Sequence, residues 1–162
     1  MLFTRYKTYL KVCFFDNTDV YYKNKQIFDN KSTGDVKMLL EMLKGKIHRA
    51  RITQCDIDYE GSLEIDIDLM EKAGILPYEK ILVVNATNGQ RLETYAIPGT
   101  AGSKIFCLNG AAAHRGSVGD IITIMCFADF TPEEAKTFLP KVVVMDENNE
   151  VEAIRIGRQP IA

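Results

Sequence analysis

The sequence predicts a mainly β protein, a small barrel with a few short helices. Strand-like runs are many and short, built from alternating or β-branched apolar residues. Tight-turn signals recur between them: Asn88-Gly89, Pro98-Gly99, Ala101-Gly102 and Glu147-Asn148-Asn149. Helical patterns are confined to short segments. Many short strands joined by tight turns argue for a small barrel. The 162 residues suffice for one domain with a real core and are too few for two ordinary ones.

Residues 1–37 stand apart. They hold eight of the fifteen Phe and Tyr residues, interleaved with Lys, Asn and Asp, and end in the polar cluster Asn30-Lys31-Ser32-Thr33-Gly34-Asp35. They lack the continuous apolar stretch and small-residue cleavage site of a signal peptide. The expectation is a start assigned too early or an added leader, and an accessory segment packing on the surface is the alternative. The domain proper is expected to span 38–162.

Lys46 to Ile57 alternates apolar and polar residues as a half-buried strand, with Ala50 breaking strict period two. Ser62 to Ile67 alternates again through Leu63, Ile65 and Ile67. Asp66 or Asp68 then caps a short helix carrying Leu69, Met70 and Ala73, which Gly74 ends and Pro77 confirms. Lys80 to Ala86 reads as a strand, and Asn88-Gly89 turns it into a hairpin with Gln90 to Ile97. Lys104 to Leu108 is a further strand, Gly110 to His114 a single small-residue helical turn, and Asp120 to Phe127 a buried strand. Thr131-Pro132-Glu133-Glu134 carries a capping box with proline at the first helical position, predicting a helix to about Phe138 that Pro140 stops. Val142 to Met145 and Val151 to Ile156 flank the last turn.

Composition narrows the function. A 46% hydrophobic and 26% charged chain is ordinary for a soluble globular protein, and a net charge of −2 does not suggest a nucleic-acid binder. No apolar run approaches the ~18 residues that span a membrane. The cysteines, Cys13, Cys55, Cys107 and Cys126, form no C-x-x-C pair, and with two histidines a zinc site is not expected. Cys107 and Cys126 lie in apolar runs as buried thiols, which points to a reducing cytoplasm.

The chemistry gathers at Asp58-Tyr59-Glu60-Gly61-Ser62-Leu63. Gly61 permits backbone angles that a β-carbon resists, and the Ser62 hydroxyl lies within reach of the Gly61 carbonyl carbon. Attack would turn that amide into an ester. Elimination would leave a dehydroalanine, and hydrolysis a ketone, so that the chain would make its own pyruvoyl group. A Gly-Ser pair by itself is a plain turn. Its company gives it meaning. The runs Lys46-Ile47-His48-Arg49, Tyr59-Glu60-Gly61-Ser62, Thr87-Asn88-Gly89-Gln90-Arg91, Thr94-Tyr95-Ala96 and Asn109-Gly110-Ala111-Ala112-Ala113-His114 occur in one order. Together they closely resemble the pyruvoyl-dependent aspartate 1-decarboxylases, over about Met38 to Ile154.

The resemblance implies a double-psi β-barrel, self-cleavage between Gly61 and Ser62, and decarboxylation of L-aspartate to β-alanine for pantothenate synthesis. It also implies a homotetramer with sites between neighbouring subunits. A ketone at a chain terminus can condense with the substrate amine and accept the electron pair left by carbon dioxide, work done elsewhere by pyridoxal phosphate. Ser62 is the expected source of that pyruvoyl group. The family's proton donor falls on Tyr95, although a tyrosine in a strand is more often a core residue with a bonded hydroxyl. Thr94 falls where the family contacts substrate and assists processing, with a hydroxyl suited to the oxyanion formed at Gly61. Gly110, Ala111 and Ala112 match backbone contacts to substrate. Arg91 can grip a carboxylate in a bidentate pair, and Lys46 adds a second cation. Tyr59 and His48 match positions near the processing turn and the mouth of the site. Asn109 is suited to hydrogen-bond substrate or enolate. Whether a maturation helper takes part is left open.

Two other classes are weighed against this. A non-catalytic barrel module would stay a single chain on a denaturing gel. A serine hydrolase would need a G-x-S-x-G elbow, which is absent, and would keep its serine.

Overall fold

The structure, a computed structural model, describes residues 38–157. The expectation for residues 1–37 lies outside the described residues. Among the described residues nine strands are formed: β1 Leu40–Arg51, β2 Gln54–Asp56, β3 Ser62–Asp66, β4 Lys80–Asn85, β5 Arg91–Gly99, β6 Phe106–Asn109, β7 Ile121–Phe130, β8 Lys141–Met145 and β9 Val151–Ile156. Two short helices, α1 Ile67–Ala73 and α2 Pro132–Ala135, and a 3-10 segment at Gly110–Arg115 complete the described chain. The fold is mainly β, as expected. Among the described residues no helix is long and apolar enough to cross a membrane.

The strands pair in the order β2-β6-β3-β5-β4-β7-β1-β8-β9. Only Ile52 and Thr53 separate β1 from β2, so one chain path runs along β7 and then along β6. Thr53 N–H continues that second pairing by donating to the Phe106 carbonyl at 2.9 Å. Because β2 continues β1, this path links the β6 end of the strand order to the β1 end, and β8 and β9 extend the sheet beyond β1. Inward residues meet in one core: Ile47, Leu63, Ile65, Ile81, Val83, Ala96, Phe106, Leu108, Ile122, Ile124 and Val143.

The broken period at Ala50 has a local cause. β1 bulges between His48 and Ala50 against β7, with Arg49 at φ 67°, so one extra residue is spent and Ala50 turns inward. β1 also starts earlier than its alternation suggests, because Leu40 to Leu43 pair with Leu43's partner Phe127 and the residues up to Phe130. α2 keeps its capping box but stops at Ala135, short of Phe138; none of its residues is buried, so no apolar face sustains it.

Two buried polar side chains fix the loops that reach the site. Asp66 is 1% exposed and caps α1, accepting from Asp68 N at 2.9 Å. It also accepts from Gly102 N at 3.2 Å and Lys104 N at 2.7 Å, which pins the β5–β6 connection to the end of β3. Asn85 donates to the Asp120 carboxylate at 2.8 Å and to the Arg115 carbonyl at 3.3 Å, and its own carbonyl accepts from Thr87 N at 2.9 Å. The β4–β5 hairpin and the segment after the 3-10 turn are thereby held together.

Candidate active site

The register of three strands builds the site. β3 lies between β5, to which it is parallel with Leu63 opposite Ala96, and β6, to which it is antiparallel with Ser62 opposite Asn109. The first residue of β3 is therefore flanked by Tyr95 on one side and Asn109 on the other. A pocket of about 350 Å³ opens here, lined by Glu60, Gly61, Ser62, Leu92 to Tyr95, Asn109, Ala111, Ala112 and Arg115.

The bond between Gly61 and Ser62 is held in an unusual conformation. Gly61 has φ 109° and Ser62 has φ 116°, a region where a side chain is strained. Ser62 is nonetheless 2% exposed and locked into the β6 ladder. The Tyr95 hydroxyl donates to the Gly61 carbonyl at 3.4 Å, while the ring remains 41% exposed at the pocket wall. Asn109 Nδ2 donates to Ser62 Oγ at 3.4 Å. Gly110, at φ 58°, backs onto the same turn. A β-carbon there would lie 2.7 Å from the Tyr59 carbonyl oxygen and 2.8 Å from Gly61 Cα and N. Only a glycine lets these two backbones meet so closely.

Of the residues singled out from sequence, Gly61, Ser62, Thr94, Tyr95, Asn109, Ala111 and Ala112 line one pocket, with Gly110 behind it. The hydrogen bond to the Gly61 carbonyl comes from Tyr95, and Thr94 shares the pocket wall. Tyr59 is exposed, and its backbone supports the turn. Lys46, His48 and Arg91 do not line the pocket. They belong to ladder rows on the outer face of the sheet: Arg91 pairs with Val84, Val84 with Thr123, and Thr123 with His48. Three strand spacings make that row about 14 Å long. Lys46 is half-buried and Arg91 exposed. His48 Nδ1 lies 3.2 Å from Thr123 Oγ1. Burial first, then the charges of Lys46, Arg49 and Arg155, push the His48 imidazole below its usual pKa.

Sequence reasoning missed Arg115, Glu93 and the lining role of Glu60. Arg115 follows directly on the Gly110–His114 run, and its Nη1 donates to Gln90 Oε1 at 2.7 Å. Glu93 pairs with Lys80 at 2.7 Å. Alternation along β5 places Arg91, Glu93 and Tyr95 on one face, a signal that was available. The contribution of Arg115 depends on the 3-10 turn, which alternation does not reveal. The lining thus sets one guanidinium against two carboxylates.

The family model for aspartate decarboxylase matches residues 38–152. A protein of Clostridium acetobutylicum named aspartate 1-decarboxylase is 54% identical over 114 residues, covering 70% of this chain and 90% of its own length. One from Salinibacter ruber with the same name is 52% identical over 118 residues, covering 73% of this chain and 81% of its own. One from Moorella thermoacetica is 51% identical over 119 residues, covering 74% and 93%.

Proposed function

The chain belongs to the aspartate decarboxylase family, and from that membership we propose that it is a zymogen which cuts itself between Gly61 and Ser62. Membership makes it a carboxy-lyase acting on aspartate. The finer reading is ours: Ser62 becomes a pyruvoyl group, L-aspartate yields β-alanine and carbon dioxide, and the product feeds pantothenate and coenzyme A synthesis in the cytoplasm.

One observation carries this reading. The Gly61–Ser62 bond is strained on its serine side, its carbonyl oxygen faces a hydroxyl donor, and the serine oxygen faces an amide donor. A hydroxyl donor on the Gly61 oxygen stabilises the negative charge that grows there when Ser62 Oγ attacks the carbonyl carbon. The C–N bond then breaks, the Ser62 amine takes the hydroxyl proton, and Gly61 is left as an ester on Oγ. Loss of the Ser62 Cα proton expels Gly61 as a carboxylate by breaking the Cβ–Oγ bond. Water then replaces the amine of the resulting dehydroalanine, releasing ammonia. Strain of order 1–3 kcal/mol at Ser62 is relieved once the bond is cut.

These residues fit the group they would make. A pyruvoyl ketone supplies the electron sink that decarboxylation of an α-amino acid requires. Tyr95, on the Gly61 side of Ser62, holds the proton for the substrate carbon. The backbone at Gly110, Ala111 and Ala112, small enough for close approach, and Thr94 orient the substrate. Asn109 supports the reacting oxygen, and Tyr59 and His48 support the turn and its surroundings.

Aspartate carries two carboxylates, whereas the single-chain pocket holds two of its own against one cation. That imbalance supports a site completed by a neighbouring copy in a homotetramer, with Arg91 and Lys46 presented from the neighbour's outer face. We place the decarboxylase domain at 38–162, with residues 1–37 dispensable. The test is intact mass. Wild type should resolve into two fragments with a pyruvoyl terminus at position 62, and its mass also reports the true N-terminus. Ser62→Ala should remain one inactive chain. If that variant were cut at the same bond, the reading would fail.

A further inference from the structure

We propose that Cys107 is a positioning residue for self-cleavage: its buried thiol fixes the Asn109 amide so that Nδ2 faces Ser62 Oγ, the oxygen that leaves in the elimination. This rests on the self-cleaving reading above and assigns a residue that reading does not use.

Cys107 and Asn109 are two apart on β6, so they share a face. Cys107 is 1% exposed, and its Sγ donates to Asn109 Oδ1 at 3.2 Å. Its other acceptor, the Leu108 carbonyl, is more distant at 3.9 Å. An asparagine amide can face either way, and its partners decide which. With its proton in place the thiol donates to the amide oxygen, and this leaves Nδ2 for Ser62. Burial pushes the Cys107 thiol up to about 11, with Glu64 adding to the effect, so the proton that makes it a donor stays on at neutral pH.

The direction of the Asn109 bond has a mechanistic consequence. Facing Oγ with a donor, Asn109 does not accept the Ser62 proton and so is no base for the first attack. It serves the later step. When the Cβ–Oγ bond breaks, the electron pair goes to Oγ, which becomes one oxygen of the Gly61 carboxylate. An N–H already aimed at that oxygen stabilises it as it leaves. Losing this alignment should slow elimination and let the ester accumulate.

The experiment follows freshly refolded precursor by intact mass, with and without hydroxylamine, which cleaves the ester and leaves the amide. Cys107→Ala should process about tenfold more slowly, the loss expected for one hydrogen bond aimed at a reacting atom, with a hydroxylamine-labile species building up. Cys107→Ser restores a donor in a smaller side chain and should recover most of the rate. If Cys107→Ala processed at the wild-type rate, or if Cys107→Ser were equally slow, the role would be packing alone and the proposal would be overturned. Should Cys107→Ala not fold, Asn109→Asp tests the link from the other side, because its carboxylate accepts from the thiol but offers Ser62 no donor. It should accumulate ester, and wild-type processing would overturn the proposal. A wild-type chain that never cuts would instead overturn the self-cleavage reading, and this role with it.

Discussion

Ser62 sits at φ 116° beside a tyrosine hydroxyl and an amide, a combination that a merely structural turn does not need. Tyr95 is where one side chain meets two steps. Its hydroxyl donates to the Gly61 carbonyl in the uncut chain and adjoins the terminus that cutting would create. Tyr95→Phe keeps the ring and removes only this group, so it should fold. β-Alanine formation by the processed variant should fall by about 10²–10⁴, the usual cost of removing a general acid. Self-cleavage should also slow, since the donor to Gly61 is lost. Measuring both rates on one preparation separates the roles. Normal cleavage with lost turnover would leave the oxyanion to Thr94, and normal turnover would take the proton from another source.

At the scale of elements, the site depends on three strand starts and ends meeting in register, with Gly110 as the closest contact. Gly110→Ala would push a methyl into the backbone of Tyr59 and Gly61 while forcing a side chain into φ 58°. The expected result is a loss of about 1–3 kcal/mol in stability and a cleavage rate at least ~tenfold lower, because the Gly61–Ser62 bond must shift. Thermal melts alongside the cleavage assay check both. Full-rate cleavage would show that the close approach is not needed. Much of this scale was legible beforehand. The Asn88-Gly89 hairpin, the Asp66 cap, the Gly74 stop and the Thr131 capping box each follow from short-range chemistry, and each is present. What alternation does not carry was not legible. The bulge at Arg49 is imposed by the β7 partner, and the early start of β1 by the same ladder. The pocket was legible where the family runs supplied it, from Ser62 to Ala112. Arg115 was not, because its place is set by Asn85 holding its carbonyl from another hairpin.

For the whole molecule, the distribution of charge over the barrel bears on assembly. Lys46, His48 and Arg91 lie in rows across β1, β7, β4 and β5, with Leu82, Val84 and Met125 between them, while the Ser62 pocket is short of positive charge. If neighbouring copies exchange these faces, Ser62 and Arg91 of one site belong to different chains. Two inactive variants should then rescue each other. Ser62→Ala provides Arg91 without a cofactor, and Arg91→Ala provides the cofactor without the clamp. Co-folded in equal amounts, they should regain about a quarter of the wild-type sites, the random share in which the cofactor chain meets an intact neighbour across a repeating interface. Light scattering should give a tetramer for each variant and for the mixture. Rescue depends on subunit exchange, so mixing the preformed oligomers without unfolding should restore far less activity. No recovery in co-folded tetramers, with Arg91→Ala alone still inactive, would place both residues on one chain. Arg91 would then serve the pocket from its own strand, on the face it shares with Glu93 and Tyr95.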